Sequence, residues 1–272
     1  VLTRSTVTDM FGKSIRMERI MDRNSGNAVI VPLDHGMSIG PIPGLIDMKH
    51  TVSSVVDGGA TAVLMQRGIV PQGHRSSGHD VGLILHLSAS TDFGSASNSK
   101  VLVATVEDAI KMGADAVSVH INLGSEDEAR MLSDIGGVSS KGMEWGIPLI
   151  VMAYPRGPGI KDPFDPELVA HAARVGCEIG ADLVKVSYTG DIDSFREVVR
   201  GALIPVLIAG GPKMGSVRDI LNMVHDSLEA GGKGVSIGRN VFQHSDVRGM
   251  AAAISEMVLH GADVEEAMRL LG

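Results

Sequence analysis

One lysine, Lys185, interrupts an apolar run that follows a helical pattern and is typical of a buried strand. Burying an ammonium group is costly unless the group is paired, so such a lysine finds a partner or loses its proton. A lysine that is partly neutral is a nucleophile that can attack a carbonyl carbon. From the strand alone, a paired structural lysine and a nucleophile remain equally open.

Two residues with acid-base chemistry, Asp34 and Tyr154, directly follow other apolar runs. Asp34 could form a structural salt bridge with Lys185, or it could orient the amine and carry protons. A tyrosine is more often a core residue with a satisfied hydroxyl, but this chain has only two tyrosines and one stands at a strand end. That placement favours acid-base use of Tyr154.

Two glycine-containing pairs, Gly210-Gly211 and Gly238-Arg239, follow the last two apolar runs. Either pair alone is typical of a tight turn. Two such pairs after consecutive strands, one of them with an arginine, favour a phosphate site built from exposed backbone N–H groups. We therefore expect a phosphorylated small molecule as ligand.

Three histidines, His35, His86 and His120, also lie near strand ends and could instead bind a metal ion, since zinc sites often use imidazole ligands. Their spacing contains neither H-x-H nor H-x-x-x-H, which favours contacts with substrate or backbone and predicts no metal site. Other histidines are expected to be structural or solvated, namely His74, His79, His171, His225 and His244.

The elements that must position these residues are eight apolar strands that alternate with helical patterns. They lie at 28–33, 62–65, 82–87, 116–120, 148–153, around Lys185, at 205–209 and at 234–237, with a short extra strand at 101–103. Eight such units predict an α/β protein with a (β/α)₈, or TIM-type, barrel, whose active sites lie after the strands. A doubly wound open sheet would need a glycine-rich first turn, which is absent.

No linker rich in Pro, Gly or Ser divides the 272 residues. We therefore predict one barrel domain over residues 13–272, preceded by a flexible arm at 1–12. A short helix at 13–22 precedes the first strand and is expected to cover the bottom of the barrel.

Composition and charge exclude several classes of protein. A formal charge of −8 argues against nucleic-acid binding, which needs clustered Lys and Arg. The single cysteine, Cys177, cannot form an internal disulfide and suits a reducing cytoplasm. No apolar stretch reaches the roughly 18 residues that span a bilayer, and the N-terminus lacks a signal-peptide pattern. We expect a cytoplasmic protein without a membrane partner.

Several motifs in order resemble the archaeal-type class I aldolase family over residues 14–243. They are Leu33-Asp34-His35-Gly36 with Gly40-Pro41, Tyr154-Pro155-Arg156-Gly157, Lys185 with Tyr188-Thr189-Gly190-Asp191, Ala209-Gly210-Gly211-Pro212-Lys213, and Gly238-Arg239-Asn240. Stretches 34–38, 73–75 and 86–91 resemble a transaldolase-type synthase branch more than the fructose-1,6-bisphosphate aldolases. The loop at 158–163 is longer than the family pattern.

The resemblance implies that Lys185 forms a Schiff base, that Tyr154 donates a proton and that Asp34 accepts one. It implies no cofactor. The implied substrate-site residues are His35, Gly36, Met37, Ser38, Pro155, Arg156, Val186, Ser187, Gly210, Gly211, Gly238 and Arg239.

The implied reaction cleaves the phosphorylated sugar-like donor 6-deoxy-5-ketofructose 1-phosphate and passes its ketone fragment to L-aspartate semialdehyde, in biosynthesis of the aromatic amino acids. The implied assembly is a homo-oligomer such as a decamer. Three alternatives remain open, namely a class I fructose-1,6-bisphosphate aldolase, a metal-dependent aldolase or isomerase, and a non-catalytic phosphosugar-binding barrel.

Overall fold

Eight parallel strands close into a barrel in the computed structural model, which describes residues 4–75, 80–94 and 97–272. The strands of the described chain are β1 Ala28–Pro32, β2 Ala62–Met65, β3 Gly82–His86, β4 Ser88–Ala89, β5 Val101–Leu102, β6 Ala116–Leu123, β7 Leu149–Pro155, β8 Leu183–Ser187, β9 Val206–Ala209 and β10 Gly234–Ser236. Around the barrel the order is β1-β10-β9-β8-β7-β6-β3-β2, and β4 pairs with β5 outside it. The predicted (β/α)₈ barrel is confirmed.

Helices follow the barrel strands and cover their outer faces. Their bounds are α1 Arg4–Ile20, α2 Gly36–Ile39, α3 Met48–Asp57, α4 Val70–Gly73, α5 Val106–Lys111, α6 Glu128–Trp145, α7 Pro166–Glu178, α8 Ile192–Ala202, α9 Val217–Glu229, α10 Arg239–Phe242, α11 Val247–His260 and α12 Val264–Arg269. Short polar residues start many of them. The carboxylate of Asp191, for example, accepts from the backbone N–H of Ser194 and so caps α8. None of the described helices combines the length and apolarity needed to cross a membrane.

The predicted strands match the barrel strands to within one residue at most ends, and the larger differences are at the C-terminal ends of β6 and β7. Strand β6 continues to Leu123 and β7 to Pro155, beyond the predicted ends at 120 and 153. The two strands pair in parallel up to Leu123 and Pro155, so each extends the other's ladder. Tyr154 therefore lies within a strand rather than after it.

Alternation along the strands creates two apolar layers. Residues such as Ile30, Leu64 and Leu183 fill the barrel interior, whereas Val184 and Val186 pack between β8 and the helices. This two-residue period directs Lys185, which lies between Val184 and Val186, into the barrel.

Helix α1 covers the N-terminal ends of the strands, as predicted. Ile20 is fully buried in the interior layer, and its carbonyl accepts from Thr61 Oγ1 at 2.7 Å, just before β2. The helix begins at Arg4 rather than at Lys13, because residues 4–11 contain neither proline nor glycine to stop it. Residues 1–3 of the predicted flexible arm lie outside the described residues, and its flexibility stays a prediction.

Candidate active site

A cavity of about 450 Å³ lies at the C-terminal end of the barrel and is bounded by the loops that follow the strands. It brings together Lys185, Asp34 and Tyr154, which come from three different strands or strand ends. The other expected site residues that line it are His35, Met37, Ser38, Arg156, Ser187, Gly210, Gly211, Gly238 and Arg239.

Three expected site residues do not line this cavity. Val186 is fully buried in the outer layer, because it alternates with the inward Lys185. Pro155 follows the inward Tyr154 in β7 and alternates away from the cavity in the same way. Gly36 begins the short helix α2, beside the cavity-lining His35 and Met37.

Lys185 is held inside the barrel with 7% of its surface exposed, level with Met152 on β7 and Leu207 on β9. Burial lowers the pKa of its ammonium to about 8; Asp34 opposes this shift, and the positive charges of Arg156 and Arg239 add to it. At pH 7 such a group is neutral in about one molecule in ten, far more often than an ordinary lysine. The environment therefore supplies a nucleophilic amine.

Asp34 is partly buried among positive or ionisable partners. Burial alone raises the pKa of its carboxyl group, but attraction by His86, His35 and Lys185 outweighs burial and lowers the pKa below the ordinary value. The carboxylate oxygens lie 3.6 Å from His35 Nδ1 and 3.8 Å from His86 Nε2. Asp34 is thus ionised at neutral pH and can accept a proton.

Tyr154 is buried in the same interior layer as Met152, which pairs with Lys185 between β7 and β8. Its hydroxyl group stays protonated. Burial raises the pKa of its hydroxyl, Arg156 counteracts this and Asp34 adds to it. The Arg156 guanidinium lies 4.5 Å from the centre of the Tyr154 ring, and the His120 ring packs edge-on at 5.1 Å. A phenol that stays protonated within the cavity can act as a proton donor.

Two of the three strand-end histidines, His86 and His120, form side-chain hydrogen bonds with protein groups. Burial lowers the pKa of His86 and lowers that of His120 further, so both rings are neutral at pH 7. His86 Nδ1 lies 2.7 Å from Ser118 Oγ, and His120 Nε2 lies 2.9 Å from Asn122 Oδ1. Within the described residues, no group of three His, Cys, Asp or Glu side chains is arranged to hold a metal ion. His79 lies outside the described residues.

The two glycine turns lie side by side, because β9 and β10 are neighbours in the barrel. A Cβ atom on Gly210 would lie 2.6 Å from the Ile237 side chain. One on Gly238 would lie 2.6 Å from the His35 ring and 2.8 Å from a backbone oxygen. Both positions therefore exclude any larger residue and leave backbone bare at the cavity wall.

Arg239 connects these turns. Its Nη2 donates to the carbonyl of Gly211 at 3.1 Å, while its Nε is buried without a hydrogen-bond partner in the described structure. Asn240 Nδ2 donates to the Gly210 carbonyl at 2.7 Å and fixes the first turn against the second. Bare backbone and a guanidinium at one place form a suitable site for an anion.

Sequence reasoning missed a group of polar residues in the connection between β3 and α5. Lys100, Ser90, Asp92 and Asn98 all line the cavity. The signal was the length of this connection, since long loops at the active face of a barrel usually carry function. The extra strand, now β5, was predicted, but not that it places the preceding residue, Lys100, at the cavity.

Comparisons with known proteins agree with this geometry. The family model described as DeoC/LacD family aldolase matches residues 28–244. The chain is 43% identical over 261 residues to 2-amino-3,7-dideoxy-D-threo-hept-6-ulosonate synthase of Halobacterium salinarum, which covers 96% of this chain and 97% of that protein. It is 39% identical over 259 residues to 2-amino-4,5-dihydroxy-6-oxo-7-(phosphonooxy)heptanoate synthase of Streptomyces griseus, with 95% and 94% covered.

A solved structure shows the same likeness. An archaeal fructose-1,6-bisphosphate aldolase, with its catalytic lysine covalently bound to the carbinolamine intermediate of the substrate, is 35% identical to this chain. The TM-score is 0.84, and the match covers 90% of this chain and 99% of that one.

Proposed function

The chain belongs to the DeoC/LacD family of aldolases, and from this premise we propose that it makes 2-amino-3,7-dideoxy-D-threo-hept-6-ulosonate by a Schiff-base transaldolase reaction. The donor is 6-deoxy-5-ketofructose 1-phosphate and the acceptor is L-aspartate semialdehyde, in a route to the aromatic amino acids. One observation carries the chemistry, namely that the buried Lys185 shares a cavity with Asp34 and Tyr154. The names of the curated relatives support the choice of product.

Counting carbon atoms identifies the bond that breaks in the donor. The four-carbon acceptor supplies C1 to C4 of the seven-carbon product, including its amino-acid end. The remaining product atoms end in a methyl ketone and therefore correspond to C4, C5 and C6 of the donor. The iminium thus forms at the C5 ketone, the C3–C4 bond breaks, and the other fragment leaves with the phosphate.

Lys185 provides the nucleophile for this sequence. Its neutral amine attacks the C5 carbonyl carbon, and loss of water from the carbinolamine gives the iminium. The iminium withdraws electrons while the proton of the C3 hydroxyl is removed, so C3 becomes an aldehyde and an enamine remains on Lys185. The enamine carbon then attacks the acceptor aldehyde, whose oxygen takes up a proton, and water releases the product.

Asp34 and Tyr154 carry out the two proton transfers of this sequence. The Asp34 carboxyl group is ionised because its pKa is held below the ordinary value, so the carboxylate is available to accept the proton of the C3 hydroxyl. Tyr154, with its raised pKa, donates to an oxygen that gains negative charge. One proton accepted and one donated balance over a turnover, and a transfer from Asp34 to Tyr154 restores both groups.

The glycine turns hold the phosphate of the donor. The bare backbone at Gly210, Gly211 and Gly238 and the Arg239 guanidinium form an anion site on the wall next to β8. His35, Met37, Ser38 and Ser187 complete the cavity around the donor. Gly36, Pro155 and Val186 each lie directly between two residues that line the cavity.

A class I fructose-1,6-bisphosphate aldolase is the second candidate, favoured by the similarity to the solved archaeal aldolase. Its substrate carries a phosphate at each end and needs two phosphate sites. Turnover separates the candidates, because the synthase converts the donor and L-aspartate semialdehyde into a phosphate-free seven-carbon amino acid that mass spectrometry identifies. Faster cleavage of fructose 1,6-bisphosphate would favour the aldolase instead.

Borohydride trapping tests the Schiff base in either case. Incubation with the donor alone, followed by reduction, is expected to add the mass of the three-carbon fragment to the peptide that contains Lys185. Lys161→Met is a matched control, because this exposed lysine lies after β7 and does not line the cavity. Activity that a chelator abolishes, with no trapped adduct on Lys185, would contradict both candidates and favour a metal-dependent enzyme.

We also propose that the chain forms a homo-oligomer and works in the cytoplasm, where Cys177 stays reduced. Phe11 on α1 and Met143 on α6 leave 66% and 65% of their surfaces exposed, and these helices contact each other. Large exposed apolar side chains such as these favour an interface in which another copy of the chain buries them. Native mass spectrometry is expected to give a multimer such as a decamer, and a monomer at micromolar concentration would contradict this proposal.

A further inference from the structure

The cavity has a second positively charged wall, formed by Lys100 and Arg156, away from the glycine turns. Lys100 comes from the connection after β3, and Arg156 follows β7. In the closed barrel β3 lies opposite β9, which carries Gly210 and Gly211. Lys100 therefore lies across the cavity from the glycine turns, with Arg156 after β7, midway between them around the barrel. This second cationic region is free for another part of the substrates.

The backbone of Lys100 is held in place by α6 and by a strand pair. Its carbonyl accepts from Arg130 Nη1 at 2.9 Å, and its N–H lies 3.4 Å from the sulfur of Met131. Lys100 directly precedes β5, which pairs with β4 at the cavity wall. Its Nζ donates to Ser90 Oγ. The ammonium is thus positioned in advance rather than free to sample solvent.

Lys100 and Arg156 repel each other, which requires a reason. Burial lowers the pKa of Lys100, and the nearby Arg156 guanidinium lowers it further. Among the residues that the structure describes, neither side chain forms a salt bridge with a carboxylate. Two converging cations that form no salt bridge with a described carboxylate are stabilised when an anion binds between them. A carboxylate suits a guanidinium especially well, because it can accept two parallel hydrogen bonds.

An acidic side chain stands beside these cations. Asp92 lines the same cavity and is close enough to Lys100 to raise its pKa. Its backbone N–H donates to the Ser38 carbonyl at 3.0 Å, which ties this loop to the one after β1. A second phosphate would be repelled by Asp92, whereas an ammonium group would be attracted. The wall therefore carries the charges that complement an α-amino acid.

We propose that Lys100 and Arg156 bind the α-carboxylate of the acceptor aldehyde and that Asp92 binds its α-ammonium group. This wall selects an amino-acid aldehyde as the acceptor, and Lys100 and Asp92 are its specificity-determining residues. The assignment rests on the proposed function, since it presumes that the acceptor is L-aspartate semialdehyde. It predicts that this wall affects transfer to the acceptor rather than formation of the Schiff base with the donor.

The first test compares Lys100→Met with Lys161→Met. The KM for L-aspartate semialdehyde is expected to rise about 10- to 100-fold in Lys100→Met, because a charge-assisted contact to the carboxylate is lost. Trapping of the donor on Lys185 is expected to persist. Lys100→Arg keeps the charge and is expected to recover part of the affinity. A KM for the acceptor that stays at the wild-type value in a folded Lys100→Met variant would overturn the proposal.

The second test uses acceptors that lack one charged group. Succinic semialdehyde lacks the amino group, and 3-aminopropanal lacks the carboxylate. The wild-type protein is expected to prefer L-aspartate semialdehyde to 3-aminopropanal, and Lys100→Met is expected to lose most of that preference. Asp92→Asn is expected to lose the preference over succinic semialdehyde instead. If the wild-type protein uses all three acceptors equally, the wall does not recognise the amino-acid end, whether or not the variants fold.

Failure of this inference can be distinguished from failure of the proposed function. If the wild-type protein traps the donor and forms product, but neither Lys100→Met nor Asp92→Asn changes the acceptor preference, the proposed function stands and the proposed acceptor site is wrong. A wild-type protein that shows no trapping with the donor and no product loses both. Preferred cleavage of fructose 1,6-bisphosphate also removes the inference, because that substrate has no amino acid for Asp92 to bind.

Discussion

The two ends of the barrel treat charge in opposite ways. At the N-terminal end, Lys13 pairs with Asp182 at 2.8 Å, and Arg19 bridges Asp80 at 2.9 Å and Asp115 at 2.5 Å. At the C-terminal end, cations converge on one cavity without such partners among the described residues, namely Lys100, Arg156, Lys185 and Arg239. The charges at the N-terminal end are therefore paired, whereas these cations at the C-terminal end form no salt bridges with described carboxylates.

The contrast separates stability from function. Paired charges at the N-terminal end fasten α1 to the starts of strands and raise the pKa of Arg19, chiefly through its hydrogen bonds with Asp80 and Asp115. At the C-terminal end, burial and the converging charges of Arg156 and Arg239 lower the pKa of Lys185. These charges destabilise the folded state, so an anionic ligand gains more when it binds. Substitutions at the two ends should therefore have opposite effects on activity and stability.

The largest effect is expected from Lys185→Met. Activity should fall more than about 1,000-fold, because the amine that forms the Schiff base is removed. Stability should rise by about 1–3 kcal/mol at pH 7, because the pKa of Lys185 is lower in the folded state, about 8, than in the unfolded chain.

The pH dependence gives the sign of this stability change. Below pH 8 Lys185 is charged in both states, so the folded protein bears the full electrostatic cost. Between pH 8 and about 10.5 the unfolded chain binds more protons, so wild-type stability rises and the advantage of the variant shrinks. Urea unfolding at pH 7 and pH 9.5 measures this, and a destabilised variant at pH 7 would indicate a structural lysine.

Tyr154→Phe is expected to have the next largest effect. It keeps the ring that packs against His120 and Arg156 but removes the proton donor. We expect kcat to fall about 100- to 10,000-fold, as for loss of a general acid, with little change in stability. Steady-state kinetics and thermal unfolding measure the two quantities, and a loss of less than about fivefold would remove Tyr154 from the chemistry.

Asp115→Ala tests the N-terminal end. Its carboxylate accepts from the buried N–H of Leu83 at 2.9 Å as well as pairing with Arg19. Stability should fall by about 1–3 kcal/mol, because the Leu83 N–H loses its partner, while kcat stays the same. Asp115→Asn can keep that hydrogen bond and should lose less. A large fall in kcat of the folded variant would contradict the separation of the two ends.

The smallest effect is a shift in the pH profile of donor cleavage. The reaction needs a neutral Lys185, so the rate should fall as the pH drops below about 8. Arg156→Met removes a positive charge that lowers the pKa of Lys185, so this limb should move to higher pH by up to about one unit. Single-turnover release of the phosphorylated fragment measures it, with Lys161→Met as control.

Much of this architecture could be read from local pattern. Strand β2 begins and ends at the predicted residues, because Ala62–Met65 is a short apolar run between polar or small residues. The same alternation that directs Lys185 inward also predicts that the Val186 side chain lies outside the cavity. The start of α1 could not be predicted, because residues 4–12 lack the apolar periodicity that is typical of a helix.

The sequence by itself determined the order of the strands, the polar residues that follow most of them and, through the two-residue period, the inward direction of Lys185. Only the tertiary structure decided which of those residues meet. Barrel closure brings Asp34, Tyr154 and Lys185 into one cavity, and the pairing of β4 with β5 adds Lys100. The physical reason is that a pKa depends on burial and on charges contributed by distant parts of the chain, which no local pattern contains.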